Sequence, residues 1–225
     1  MSPLQPTYNR LSLSVKYISV FLPFDIPGFL QVLREQGYFV TPSLEEATAA
    51  VPFGARLGAS GLVARKADVG IRVDGDRQIL GVVAPNASTA LTEMDSLESL
   101  LKDGTGVDSP GLAQYYEFLA SLTVRAKVSP LESWNRHLAD VPLVQQASRL
   151  MGMKVSPFGL RLAPVRQVPN QPDWCEIRIE PQVQSPRDSH YLEIVFRGAN
   201  RDKVFAFVSG FEETLDGLIS LVEGE

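Results

Sequence analysis

Nucleophilic and metal-binding side chains are scarce in this chain. Its 225 residues include one cysteine, Cys175, and two histidines, His137 and His190. A single cysteine provides none of the paired spacings that hold zinc, so we predict no metal site. Cys175 could act as a nucleophile with His190 as its base. Because Cys175 shares its strand parity with Ile177 and Ile179, the sequence favours a buried structural thiol instead.

No stretch of the chain carries a recognisable catalytic signature. The adjacent carboxylates Glu45-Glu46 and Glu212-Glu213 fall on helix-like segments, where such pairs are normally solvated. The glycine-rich residues 103–106 lack the lysine and the strand-to-helix context of a phosphate-binding loop, so they are typical of a linker. We therefore predict no cofactor and favour a protein without enzymatic activity. The alternative is an enzyme whose site is assembled from distant residues and leaves no local trace.

One hexapeptide occurs twice. Residues 52–57 read Pro-Phe-Gly-Ala-Arg-Leu and residues 157–162 read Pro-Phe-Gly-Leu-Arg-Leu, with five identities in six positions. In the first copy, apolar and small or charged residues alternate, which is the pattern of a half-buried strand. Other pieces recur in the same order along the chain. We therefore predict a tandem duplication, with repeats at residues 1–108 and 109–225.

Arginines recur at matching positions of the two repeats. Gly70-Ile71-Arg72-Val73 matches Glu176-Ile177-Arg178-Ile179. Strand alternation places four guanidiniums on the face opposite the core, and these predicted binding residues are Arg56, Arg72, Arg161 and Arg178. Such a face could recognise a phosphate backbone, an acidic protein segment or a carboxylate ligand. The alternative is that the arginines keep an exposed sheet soluble and pair across strands with Asp68, Asp76, Glu176 and Glu193.

The remaining pattern predicts the elements that carry these residues. Residues 1–12 are expected to form a weakly structured leader and residues 103–111 a linker. The predicted strands cover residues 14–24, 51–59, 69–73, 78–83, 122–128, 158–162, 175–179 and 191–196. The predicted helices cover residues 25–37, 86–104, 130–138 and 143–151, with a closing helix that starts at Asn200. A strand at residues 204–208 is the competing interpretation for the closing helix, because Gly210 weakens a helix there.

Each half thus reads as strand, helix, three or four strands, helix. This order resembles the TATA-box-binding-protein superfamily over about residues 14–223. The resemblance implies an α+β fold of two pseudo-symmetric repeats that share a largely antiparallel sheet, with helices packed on one face. In DNA-bending members, pairs of phenylalanines wedge between base steps. Phe53 and Phe158 match the first of each pair, but Val73 and Ile179 fall at the second. An outward Phe53 would also bury Arg56, so we do not expect DNA bending.

Bulk properties restrict the functional classes. The chain is 44% hydrophobic and 21% charged, with a net charge of −5. These values are typical of a soluble globular protein, and no apolar run approaches the ~18 residues of a membrane span. We expect no signal peptide, and the single cysteine is typical of a reducing, cytoplasmic location.

The predicted function is that of a non-catalytic binding or adaptor protein. It would engage a protein partner through the exposed sheet face, or associate with copies of itself through the sheet edges. The first alternative is a nucleic-acid-binding protein that uses the arginine face without base wedging. The second alternative is a small-ligand-binding protein or enzyme with its site between the repeats.

Overall fold

The computed structural model describes residues 6–18, 26–40, 60–105 and 108–224. Within them the strands are β1 (Thr7–Tyr17), β2 (Phe39–Val40), β3 (Ser60–Lys66), β4 (Val69–Asp74), β5 (Ile79–Val83), β6 (Ala113–Arg125), β7 (Leu160–Leu162), β8 (Trp174–Pro181) and β9 (Ser189–Gly198). The α-helices are α1 (Ile26–Glu35), α2 (Ala87–Thr105), α3 (Pro130–Leu138), α4 (Pro142–Met151), α5 (Arg201–Ser209) and α6 (Phe211–Glu223). A short 3₁₀ helix at Ser109–Leu112 precedes β6.

The strands form one nine-stranded sheet in the order β2-β3-β4-β5-β1-β6-β9-β8-β7. Every neighbouring pair is antiparallel. Outward from the central β1/β6 pair, the order is β1-β5-β4-β3 on one side and β6-β9-β8-β7 on the other. The predicted α+β class, with an antiparallel sheet and helices on one face, is confirmed.

Alternation in the two central strands creates the two faces of the sheet. In β1, Leu11, Leu13 and Val15 are almost completely buried, Arg10 is exposed and Ser14 is partly exposed, while Ser12 keeps 9% of its surface exposed. In β6, alternate residues from Tyr116 to Val124 are buried in the same way. Because side chains of a strand point to opposite faces in turn, one face carries the core. We call the other side, which carries the polar alternates, the open face.

The helices cover the core face of the sheet. Ala90, Met94, Leu97 and Leu101 recur at helical spacing on α2 and are fully buried. From α5 and α6, aromatic rings reach the sheet: Phe211 packs edge-on against Phe118 at 4.9 Å, and Phe207 stacks on Phe196 at 4.0 Å. Burial of this apolar surface supplies the main stabilising free energy of the fold.

The chain after residue 200 is helical, so the strand interpretation of residues 204–208 is wrong. The side chain of Asn200 caps α5 by accepting a hydrogen bond from the Lys203 amide at 2.9 Å. The break comes at Gly210, whose amide donates to the carbonyl of Ala206, and α6 begins at the next residue. Buried residues at helical spacing explain why the segment is not a strand.

The two central strands begin earlier than the sequence predicted. Residues 1–12 were expected to be a leader, but β1 starts at Thr7, and β6 starts at residue 113 rather than 122. Each strand is stabilised along its length by the other, with Leu11 opposite Ala120 and Leu13 opposite Phe118. The strand predicted at residues 51–59 lies outside the described residues. None of the described helices combines the length and the apolar character needed to cross a membrane.

A buried polar network joins the first half of the chain to the second. Glu98 of α2, only 6% exposed, accepts a hydrogen bond from the Tyr116 hydroxyl at 2.6 Å. Its other oxygen accepts from Nε and Nη2 of Arg201 in α5, at 2.9 and 2.8 Å. Burial, followed by the hydrogen bond to the carboxylate, raises the pKa of Tyr116. Asp95 forms a second, exposed ion pair with Arg201.

Candidate functional site

Three of the four predicted arginines lie on the open face. Arg161 stands directly opposite Arg178, which stands opposite Glu193 of β9. On the other side of the centre, Arg72 is opposite Gly81, which is opposite Ser14. Directly opposed residues project to the same side of a sheet, so Arg72, Arg161 and Arg178 share the face that the helices leave open. Arg56 lies outside the described residues.

The arginine arrangement differs between the two halves. Arg161, on β7, faces Arg178, but the position across from Arg72 is taken by Leu62 of β3. The second hexapeptide therefore reaches β7, whereas residues 60–66 occupy the matching place in the first half. Within the described residues, Arg161 has no arginine counterpart in the first half.

In the second half, Arg161 and Arg178 are each neutralised by carboxylates. Arg161 Nη2 lies 2.7 Å from Glu176 Oε1, and this ion pair raises the pKa of the Arg161 guanidinium. Arg178 donates two hydrogen bonds to Glu180, each of 2.9 Å, and lies 3.8 Å from Glu193. The guanidiniums that could take an anion here already hold one.

Arg197 of β9 is a further open-face arginine that the sequence patterns did not single out. It forms an ion pair with Glu117 directly across on β6. Its Nη1 donates to the carbonyl of Pro169 at 2.7 Å, and its guanidinium lies 4.6 Å from the ring centre of Tyr115. With its charge, its hydrogen bonds and its planar face all engaged, Arg197 is a fixed part of the sheet surface.

In the first half the open face contains a groove of about 200 Å³. Three arginines, Arg10, Arg72 and Arg77, line it together with the carboxylates Asp74 and Glu117. Both carboxylates are occupied: Asp74 accepts from the Arg77 amide at 3.0 Å, and Glu117 pairs with Arg197.

Two guanidiniums of the groove remain uncompensated. Arg10 and Arg72 are exposed, and neither has an ion pair with a carboxylate of the described residues. A guanidinium presents five N–H donors in a fork that matches a carboxylate or a phosphate. The groove can therefore accept an anion without displacing a carboxylate that is already bound.

Small residues form the floor between these arginines. Gly61, Gly81, Ser12 and Ser14 line the groove. A Cβ atom at Gly81 would lie 2.8 Å from Ser14 Cβ, closer than real Cβ atoms approach, and a tight 3.2 Å from the backbone oxygen of Leu13. Glycine at this position therefore lets β5 lie close against β1 and adds no side chain to the floor of the groove. The apolar residues Ile79, Val83 and Leu119 also line the groove.

Arg10 was missed because residues 1–12 were interpreted as a leader. The signal was present in the alternation of Arg10, Ser12 and Ser14 with the buried leucines of β1. Period-2 alternation of this kind is typical of a strand with one open face. The neighbour of Arg10 across the centre is Ser121, and this contact could not be inferred from local sequence.

Cys175 and His190 do not form a catalytic pair. Cys175 is opposite Phe196 and His190 is opposite Pro181, six residues further along the β8/β9 ladder. At about 3.3 Å per residue, the two side chains are separated by roughly 20 Å. Cys175 is half-buried, and this burial raises the pKa of its thiol, so it is a weaker nucleophile than a free cysteine.

His190 instead forms a fully buried pair with Glu223 of α6. The side chains of both residues have no exposed surface, and His190 Nε2 lies 3.4 Å from Glu223 Oε1. That carboxylate oxygen accepts a hydrogen bond from the Lys127 amide at 2.9 Å. Burial lowers the pKa of His190 despite the nearby carboxylate, which favours the neutral imidazole in the folded state.

Other predicted features also have defined places. His137 of α3 is exposed, and Phe158 is 49% exposed just before β7. Among the described residues, no three histidine, cysteine or acidic side chains are grouped as metal ligands would be. Comparison of the chain with models of known protein families and with curated proteins gives no match.

Proposed function

We propose that this protein is a non-catalytic binding protein that takes an acidic segment of a partner protein onto the open face of its sheet. The observation that carries this proposal is the groove at Arg10 and Arg72. These two guanidiniums are exposed above a floor of small residues and lack a carboxylate partner in the described chain. Charge-assisted, bidentate bonds to aspartate or glutamate side chains are the interactions that such a site favours.

The charge distribution favours a short acidic segment over nucleic acid. Arg72 and Arg178 are separated by five strand spacings, roughly 24 Å. A polyanion laid across the whole open face would reach the second half, where Arg161, Arg178 and Arg197 are already paired with carboxylates (Glu176, Glu180, Glu193 and Glu117). Repulsion there would oppose a continuous phosphate backbone.

The chemistry of the groove supports binding rather than catalysis. Its described lining contains neither histidine nor cysteine, and its two carboxylates already hold partners: Asp74 accepts from the Arg77 amide, and Glu117 pairs with Arg197. Arginine stays protonated at neutral pH, so it cannot serve as a general base. We assign this binding role to the cytoplasm, because a chain with one half-buried, unpaired cysteine is suited to a reducing compartment.

We further infer that the two halves descend from a duplication and share the TATA-box-binding-protein-like arrangement. The repeated strand order about β1 and β6 supports this relationship. Arg72 and Arg178 lie on the matching strands β4 and β8. Asn86 and Asn200 each cap the helix that follows the last strand of their half, at 2.8 and 2.9 Å. The hexapeptides do not add to this support, because residues 52–57 lie outside the described residues.

Fluorescence anisotropy with a labelled peptide of alternating glutamate and aspartate tests the binding proposal. Arg72→Glu should weaken binding about tenfold or more, the equivalent of about 1.4 kcal/mol. Arg161→Glu is the matched control, because Arg161 is exposed on the same face but already paired with Glu176. Equal affinities of wild type and Arg72→Glu would contradict the proposal.

A second arm of the experiment uses duplex DNA in place of the peptide. Binding that falls steeply with salt and is weakened equally by Arg72→Glu and Arg161→Glu would favour nucleic acid as the partner. Circular dichroism of each variant confirms that the fold is intact. We expect no DNA binding at physiological salt.

A further inference from the structure

Helix α4 exposes the apolar side that an amphipathic helix normally buries. None of its residues is buried, and Leu143, Leu150 and Met151 are 74%, 89% and 63% exposed. At 100° per residue, Leu143, Ala147 and Leu150 lie within about 60° of one another on the helix surface, with Met151 about 40° beyond Ala147. Of these four residues only Ala147 is partly buried. We call these four residues the α4 stripe. Contiguous exposed apolar surface of this kind marks an interaction site.

The side of α4 adjacent to this stripe, beside Met151, holds the helix in place. Val144 is partly buried, and the Ser148 hydroxyl donates to the Val144 carbonyl at 3.0 Å. The same hydroxyl accepts from the Val155 amide at 3.1 Å, which fixes the chain after the helix. Gly152, with φ of 65°, ends the helix in the left-handed conformation that favours glycine. The α4 stripe is therefore presented on an ordered helix.

The charges around α4 have opposite signs at its two ends. Asp140 lies just before the helix, while Arg149 and Lys154 lie at its last turn and just beyond it. All three are exposed, and none has an ion pair among the described residues. A second helix that ran in the opposite direction would place its basic end beside Asp140 and its acidic end beside Arg149 and Lys154.

We propose that the α4 stripe is a dimer interface and packs against the α4 stripe of a second copy of this chain. The two helices would run antiparallel about a two-fold axis near Ala147. In that register Leu143 of one copy faces Met151 of the other, and Asp140 faces Lys154. A two-fold interface requires this self-complementarity, in which residue i contacts j and j contacts i. The small side chain of Ala147 at the axis lets the helices approach closely.

The size of the contact sets the expected affinity. Ten residues at 1.5 Å each give a helix of about 15 Å. A single helix pair of this length falls at the low end of protein interface areas, so we expect a dimer with a dissociation constant of about micromolar or weaker. The interface lies on α4, apart from the residues that line the open-face groove, so the two proposals are independent.

Sedimentation velocity over protein concentrations from about 1 to 200 μM tests the dimer. The wild type should change from monomer to dimer over this range. Leu150→Glu should raise the dissociation constant at least about tenfold, because the dimer would then bury the unpaired charge of the new glutamate. Leu221→Glu on α6 is the matched control, because Leu221 is also 72% exposed, and it should dimerise like the wild type. Circular dichroism checks that each variant is folded.

A charge exchange tests the antiparallel register. Asp140→Lys should weaken the dimer, and combining it with Lys154→Asp should restore the wild-type affinity, since the opposed pair is then complementary again. Three results would each overturn the proposal: a wild type that is monomeric at the highest concentration, a Leu150→Glu variant that dimerises normally, or a double variant that stays as weak as Asp140→Lys.

Discussion

Removal of the Glu98 carboxylate should destabilise this fold more than any single exposed ion pair does. Glu98→Ala removes the acceptor of the Tyr116 hydroxyl and of two Arg201 donors at once. Loss of one partner of a buried ion pair typically costs 3–5 kcal/mol, because the other charge stays uncompensated. The Arg201 side chain is 30% exposed and keeps Asp95 as a partner, so we expect about 2–4 kcal/mol here.

The matched control is Asp95→Ala, which removes the other carboxylate from the same guanidinium. The side chain of Asp95 is 58% exposed, so its ion pair should contribute less than about 1 kcal/mol. Urea denaturation at pH 7 gives both free energies of unfolding. For each kcal/mol by which the free energy of unfolding falls, Tm should fall by about 2–4 °C. If Glu98→Ala costs no more than Asp95→Ala, Glu98 does not join the two halves as described.

Two further perturbations test the interior and the sheet. Burial lowers the pKa of His190 in the folded state. As pH falls below about 6.5, the unfolded chain therefore binds more protons than the folded chain. The free energy of unfolding should decrease there by up to about 1.4 kcal/mol per pH unit. His190→Gln should reduce that slope, and urea titrations from pH 5 to 7.5 would refute the reasoning if the wild type and the variant give the same slope. Gly81→Ala pushes β5 away from Ser14 of β1 and should lower the free energy of unfolding by about 1–3 kcal/mol. Gly217→Ala has open space around its new Cβ atom and should raise the free energy of unfolding by about 0.5–1 kcal/mol, because alanine favours the helix α6. Equal Tm values for these two glycine variants would contradict the close approach of β5 to β1.

Local signals in the sequence predicted the elements that depend on local interactions. The Asp74-Gly75 turn gives the β4/β5 hairpin, and Asn86 caps α2 through the amide of Thr89. Helix α3 matches its predicted bounds, and α4 differs by one residue at its start. These features follow from turn chemistry, caps and helical periodicity, all of which act over a few residues.

Features that depend on distant pairing could not be predicted in the same way. The early start of β1 is stabilised by β6, more than a hundred residues away. The sequence offered Glu176 and Glu193 as partners of the arginines but could not select that alternative, because the pairing of Arg178 with Glu193 depends on the β8/β9 register. The position across from Arg72 is taken by Leu62, a pairing that also depends on register. Register, rather than residue type, therefore decides which arginines remain available for a ligand.

The central claim is that the groove at Arg10 and Arg72 binds an acidic segment. Titration of the ¹⁵N-labelled protein with the glutamate–aspartate peptide, followed by amide chemical shifts, tests it most directly. We predict that the largest shifts cluster around the groove, at residues such as Gly61, Arg72 and Gly81, and disappear in Arg72→Glu. Shifts concentrated on the helices or around Arg178, or no shifts at all at millimolar peptide, would contradict the claim.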